Sequence, residues 1–496
     1  MKNLFIRLIL IFCVSVYCVL QSAAQDNAGL LDSLNKLNSE ISRLEETHKA
    51  YAENLKKITA SGSSSNAAAA KDAMLRVNSA LARAYSGRGA VFFDFEMFED
   101  AVKEFDKAAA LDKKYKDAYF MKALSLIRLE KNEEALKELE LTLKLAPNDA
   151  EAHFASGEVL VLLDRKEDAL KAYDKALGIN KKYAEAAYNK AYVLSSLGRT
   201  GEAVEIYEGL IKDGVKKFPV YYSKGILLMN SEKYKEAAAD FEKAEELDPD
   251  NKDISYAKAA CFYKSGQFEH ALKTYDELIK REPDFGEVYM NKAAALLALK
   301  RYDEASEVFE RIIRLGNAGA ELFFYKGSSL YNAKKYEEAI KEFDNAVKED
   351  KKYVKAYFNR GLSFFELKKY KEALKDFDKT IQMEPSNAEA YYCKGLTFYN
   401  MGNFKSALKT FDMFIAIVPG SKEAFNMKGL SLYQLGKNEE SIAEFDKAIA
   451  IYPEYSDAYY NKAAALAALG KKDEVTEMLN KVDELNMQKF GSEKIK

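Results

Sequence analysis

Side chains able to carry chemistry are sparse and scattered in this 496-residue chain. A zinc site needs three or four His, Cys or carboxylate groups converging on one point. The three histidines, His48, His153 and His270, fall in separate segments. No Cys-x-x-Cys, phosphate-binding glycine loop, dinucleotide glycine pattern or nucleophile elbow occurs. The expectation is therefore no metal, no cofactor and no enzyme activity. Of the four cysteines, Cys13 and Cys18 lie in a leader-like segment, and Cys261 and Cys393 read as two buried thiols too far apart to bridge. Seventy-five basic and 78 acidic side chains give a formal charge of −3. A nucleic-acid binder would concentrate basic charge on one face, so no nucleic-acid partner is expected.

The charges that do recur point to the elements that hold them. In the stretch Val354–Asn387, Tyr357, Gly361 and Phe364 fall at i, i+4 and i+7, and Ala373, Phe377 and Thr380 repeat that spacing after a polar break. This is the pattern of two amphipathic helices, and Pro385 ends the second because it has no N–H to donate. Taking Gly361 as position 8 and stepping by thirty-four residues gives Gly89, Ala123, Gly157, Ala191, Gly225, Ala259, Ala293, Gly327, Gly361, Gly395, Gly429 and Ala463. All are small, as close packing of the first helix on its partner requires. Position 20 is alanine from Ala101 to Ala407, departing at Ser441 and Val475, and position 24 is aromatic except at Leu139 and Leu479. One helical pair cannot cover its own apolar face, so neighbours must, giving a one-dimensional stack. Six prolines share position 32, while Gly214 and the Gly316 and Gly319 pair replace it in two repeats, where uneven bending is expected. Position 7 is Lys or Arg except at Ser156, and position 25 is Asp or Glu except at Asn480. Arg360 with Asp378 and Lys394 with Asp412 predict a ladder of ion pairs within each repeat, or between adjacent ones; the alternative is lysine stems lying over apolar neighbours with solvated heads.

Ahead of the array, Lys2 and Arg7 precede a run from Leu8 to Leu20 and the small residues Ser22 and Ala24. This reads as a signal peptide over 1–24, implying an exported, periplasmic or secreted protein with no stable membrane span after cleavage. Leu30, Leu34, Leu37, Ile41, Leu44, His48, Tyr51, Leu55 and Ile58 step alternately by four and three. That heptad pattern predicts a coiled coil over 25–58 that self-associates through residues 30–58. A flexible linker is expected over 59–73, a lead-in helix over 74–81, repeats over 82–489 and a frayed tail over 490–496.

The spacing Tyr-x3-Gly-x2-Phe, Ala-x3-Phe and Pro resembles the tetratricopeptide repeat, with tyrosine where that family often has tryptophan. The resemblance implies an all-α, right-handed superhelical solenoid of twelve helix-turn-helix repeats, whose first helices line a concave groove. It turns positions 2, 5, 6, 9, 12 and 13 into that groove. Position 5 would supply Phe120, Phe154, Tyr188, Tyr222, Tyr256, Phe324, Phe358, Tyr392 and Tyr460, with Asn359 at position 6. Position 12 adds rings such as Tyr331, Phe365 and Tyr399, and position 2 is acidic in most repeats, Lys355 being an exception. An aromatic groove with an acidic edge suits an extended protein or peptide segment carrying basic residues. The residue sets of the chaperone-tail carboxylate clamp and of the sugar-transferase asparagine ladder are both incomplete. The order of parts also resembles the periplasmic coordinator of the Tol-Pal system. The expected function is a non-catalytic interaction scaffold of the cell envelope; the alternative is an envelope assembly or export adaptor, or such a coordinator.

Overall fold

The computed structural model describes residues 27–60 and 64–493, and these form twenty-five helices and no strand. The expected signal peptide lies outside the described residues. Helices α1 (Asn27–Ala60), α2 (Ser64–Asp94) and α3 (Phe98–Leu111) are followed by pairs of thirteen- and fourteen-residue helices, such as Val354–Glu366 with Tyr370–Met383. The last helix, Lys472–Glu493, continues through the start of the expected tail. The chain divides into two compact units, one ending at Ile254 and the other beginning at Ser255, each a stack of helix pairs in the manner of a tetratricopeptide-repeat solenoid.

Packing within a pair follows the small and aromatic columns. Phe377, Phe411 and Phe445 are fully buried, and the position-20 alanines lose all exposure. A Cβ built on Gly361 would lie 2.9 Å from Phe377 Cε1, and one on Gly429 would lie 2.5 Å from Phe445 Cε1. The glycine is therefore the cradle of the ring. Burying each ring is worth on the order of 1.5–3 kcal/mol.

The turn inside every pair carries a feature that the sequence hides. Position 15 has positive φ throughout, at seven Glu, Asp or Lys residues, among them Glu130 and Lys368, and at five glycines, among them Gly402 and Gly470. Around it Lys369 N donates to Phe364 O at 2.8 Å and Lys368 N to Phe365 O at 2.8 Å. These two bonds satisfy the last carbonyls of the first helix, the closure that favours glycine in the left-handed region.

The N-terminal expectations need correction. Helix resumes at Ser64 and α2 runs unbroken to Asp94, so the linker over 59–73 and the separate lead-in helix are replaced by a break at residues 61–63, which lie outside the described residues. The strongly helix-forming alanines 67–70 account for this. Nor is the heptad stripe left for a second copy. Ile41 and Leu44 pack with Leu81, Ala84 and Tyr85 of α2, a Cβ on Gly87 would come within 3.2 Å of Leu37 Cδ2, and the Tyr85 hydroxyl donates to Glu45. An apolar seam has the same period whether its partner is another chain or the next helix. α1 thus takes the place of the second helix of a missing preceding repeat.

Candidate partner-binding surface

The charged columns form the ladder, in a register that sequence columns alone leave open. Position 7 reaches back to position 25 of the preceding pair: Lys394 to Asp378 at 2.6 Å, Lys428 to Asp412 at 2.8 Å, Lys190 to Asp174 at 2.6 Å and Lys462 to Asp446 at 2.6 Å. Arg360 accordingly pairs with Asp344, not Asp378, and Lys394 with Asp378, not Asp412. Within a pair, the partner of position 7 is position 23, which sequence reasoning missed: Arg360 holds Asp376 at 2.6 Å and Lys326 holds Glu342 at 2.6 Å. Each first helix is flanked by two second helices, sixteen residues away in either direction, and position 7 lies where both approach. At the chain's start Arg88 holds Glu104 at 2.6 Å, and its other arm donates to Asn38 of α1 at 2.9 Å, where later pairs use a carboxylate.

The position-5 rings prove to be core side chains first. Phe154 lies 6.0 Å from Tyr173, Tyr188 5.6 Å from Tyr207, Tyr222 5.7 Å from Phe241, Phe324 6.0 Å from Phe343, Phe358 5.9 Å from Phe377 and Tyr392 5.9 Å from Phe411, centroid to centroid. Phe154 is 6% and Tyr188 9% exposed, so neither can serve as a ligand anchor as expected. Phe120, Tyr222, Tyr256, Phe324, Phe358, Asn359 and Tyr392 are half-buried, while Tyr460 in the last pair is 61% exposed. Hydroxyls in this column bond to position 6 of the next pair: Tyr188 meets Ser223 at 3.0 Å, and Asn291 Nδ2 donates to Tyr256 at 2.8 Å. Asn359 instead donates to the Lys355 carbonyl at 3.0 Å. The position-12 rings are clamped edge-on across the turn by position 17, as in Tyr331 with Tyr336 and Phe365 with Tyr370. No position-17 ring was anticipated, although Phe98, Tyr234, Tyr302 and Phe404 form a visible column.

Beside the half-buried rings stand exposed carboxylates from position 2 of the following pair. Burial foremost raises the phenol pKa values of Tyr222, Tyr256 and Tyr392, and Asp253, Glu287 and Glu423 respectively add to the rise. These phenols stay protonated, so the column offers ring edges and hydroxyl groups next to negative charge. His153, at position 4, is buried and its Nε2 donates to the Pro147 carbonyl at 2.9 Å, the role that the Tyr289 hydroxyl plays toward Pro283 at 2.9 Å. His270 is exposed and tilted against Phe262. Among the described residues no group of His, Cys, Asp or Glu could hold a metal ion, and no helix is long and apolar enough to cross a membrane.

Helix pairs of this geometry define a tetratricopeptide-repeat solenoid. The family models agree: "Tetratricopeptide repeat" matches residues 354–387, "TPR repeat" matches 327–368 and 429–470, "Tetratricopeptide repeat protein 21 N-terminal ARM repeat" matches 120–306, and "Anaphase-promoting complex, cyclosome, subunit 3" matches 376–448. The chain thus carries tetratricopeptide repeats. No curated protein matches the sequence. Among solved structures, the C-terminal part of a TPR repeat-containing protein from Cytophaga hutchinsonii is 17% identical, with 46% of this chain and 95% of that one covered and a TM-score of 0.42. A tetratricopeptide repeat protein from Parabacteroides merdae is 18% identical, covering 50% and 98%, with a TM-score of 0.35. YrrB, described as a TPR protein with an unusual peptide-binding site, is 25% identical, covering 38% and 98%, with a TM-score of 0.34.

Proposed function

We propose that this chain is a non-catalytic scaffold of the cell envelope that binds an extended segment of a partner protein along its first helices. One observation carries the reading: a half-buried position-5 ring and the next pair's exposed position-2 carboxylate recur side by side. In the second unit this gives Phe324, Phe358 and Tyr392 with Glu321, Glu389 and Glu423, followed by Tyr460 with Asp457. A bound chain would lay apolar side chains on the ring edges and basic ones against the carboxylates, with the energy concentrated at a few positions. The rings would act through their exposed edges, because their other faces are committed to the core.

Export is supported by the leader-like composition of residues 1–24. The likeness of layout to the Tol-Pal coordinator loses its free coiled coil once α1 is packed on α2, so the general scaffold is the reading kept. Two measurements test it. Photo-crosslinkers placed at Phe358 and Tyr460 should trap a partner from envelope fractions, a control at Lys379 on a second helix should not, and Glu389→Lys with Glu423→Lys should reduce the yield several-fold. Equal trapping at all three sites would remove the first-helix surface as the site. Fractionation with N-terminal sequencing should find a mature chain beginning near Gln25; an intact Met1 in the cytosol would remove the envelope assignment.

A further inference from the structure

A second binding site lies between second helices. Helices Tyr302–Arg314 and Tyr336–Glu349 of neighbouring pairs, with Ala320–Asn332 beneath them, enclose a cleft of about 560 Å³. It opens next to the turn in which Gly316, at φ 90°, stands in for the usual proline, and where the second helix stops at Arg314 after thirteen residues, not fourteen. Its volume is in the range of sites that hold a small ligand or a few side chains.

The charges lining it do not cancel evenly. On the floor, Lys326 is shared by Glu310 at 2.7 Å and Glu342 at 2.6 Å, and Arg314 Nε donates to Glu310 at 2.8 Å. These groups satisfy one another. On the walls, Arg311 and Lys341 have no ion pair among the described residues. The cause for Arg311 is readable in its column. Elsewhere position 26 reaches the position-23 carboxylate one turn back, as Lys107 does to Glu104 at 2.7 Å and Lys447 to Glu444 at 2.9 Å. Here that residue is Val308. The two wall acids, Glu307 and Glu338, are better supplied. Both lie within electrostatic range of Lys335, whose pKa is raised foremost by its hydrogen bond to Asp303 and further by these two carboxylates. Two cations therefore face the cleft without an anion, while its acids share a cation.

We propose that this cleft binds an acidic peptide segment, its carboxylates seated between Arg311 and Lys341. Ligand charge and location both differ from those of the first-helix surface, so the two sites are independent. The test uses the full-length protein and a fluorescent hexaglutamate peptide with both ends blocked, with hexaglutamine as the uncharged comparison and inorganic phosphate as competitor. Hexaglutamate should bind saturably and weaken with salt. Arg311→Glu with Lys341→Glu should weaken it by roughly tenfold or more, since each lost charge-assisted contact is of that order. Both residues are exposed, and circular dichroism should show an unchanged fold. Lys379→Glu, at position 26 of another pair, and Glu389→Lys, on the first-helix surface, should leave this binding intact. The proposal fails if wild-type protein does not bind at low salt, if the double variant binds as well as wild type, if hexaglutamine binds equally, or if phosphate displaces the peptide at matched charge, which would make the cleft a small-anion site. Binding that survives while the crosslinking experiment fails would remove only the first-helix reading.

Discussion

Two helix pairs of the second unit use nearly the same columns and end up in different states. In the interior pair Val354–Glu366 and Tyr370–Met383, Phe377 is fully buried. In the final pair, Ser456–Ala468 with Lys472–Glu493, the corresponding Leu479 is 39% exposed, Tyr460 is 61% exposed and Met487 is 75% exposed. The within-pair contact exists in both. What differs is the following first helix, present after Met383 and lacking after the last pair. The comparison separates two sources of order in such a stack: contacts a pair makes with itself, and contacts lent by its neighbour. At the other end α1 supplies the missing neighbour, which is why Ile41 and Tyr85 are buried there.

Core truncation is the strongest way to test that separation. Phe377→Ala should cost about 3–5 kcal/mol, the range for emptying a large buried ring site. Leu479→Ala should cost under about 1 kcal/mol, because part of that side chain already faces water. Hydrogen exchange across each helix is the suitable measurement, since long arrays unfold in parts and one global midpoint would mix them. Equal losses at the two sites would show that burial by a neighbour is not what distinguishes them.

The ladder gives the next effect. Asp376 is buried against Arg360, and burial raises its carboxyl pKa despite that partner. Arg360→Met would strand this carboxylate and should destabilise the interior pair by about 3 kcal/mol, the lower end for breaking a buried pair from one side. Lys462, whose carboxylate partner Asp446 is about half exposed, should lose at most about 1 kcal/mol as Lys462→Met. The raised pKa of Asp376 fixes the sign with pH. A carboxyl that holds its proton more tightly folded than unfolded favours folding at low pH, and that contribution fades as pH rises through its folded value. In Arg360→Met the carboxyl loses its countercharge, so its pKa should rise further. The variant should therefore regain part of its deficit in mildly acidic solution, whereas Lys462→Met should show no such recovery; urea titrations at two pH values would decide.

Overpacking the cradle is expected to cost less. Gly361→Val would push methyl groups into Phe377, and about 1–3 kcal/mol is the usual penalty. Ala463→Val faces only the half-exposed Leu479, which can move aside, so its loss should be the smaller of the two by thermal unfolding. The cradle was legible in the sequence, because a column of glycine and alanine opposite a column of rings has one steric explanation. The ladder was legible only in part. Columns 7 and 25 show which residues pair, but periodicity is blind to which neighbour is meant, and the position-23 carboxylates vary too much to stand out as a column. The rings at position 5 misled for a related reason. A helical column fixes the direction of Cα–Cβ, yet a ring at Phe154 or Tyr188 is long enough to turn sideways onto position 24. The stripe on α1 carries no mark of whether its partner is another chain or α2.

The left-handed turn residue gives the smallest effect and the cleanest control. Lys368 holds φ at 58°, a conformation that costs a side-chain-bearing residue about 1–2 kcal/mol. Glycine would remove that strain but lose about 0.5–1 kcal/mol through the greater freedom of the unfolded chain. Lys368→Gly should therefore stabilise by roughly 0.5 kcal/mol, and Gly470→Lys in the final pair should destabilise by a similar amount. Both strains are local to the backbone, so neither depends on a neighbouring pair. If Gly470→Lys proved far milder than the reverse change at Lys368, the final turn would have to be relaxing in ways the interior turn does not. The contrast between the two pairs would then extend from side-chain burial to the backbone itself.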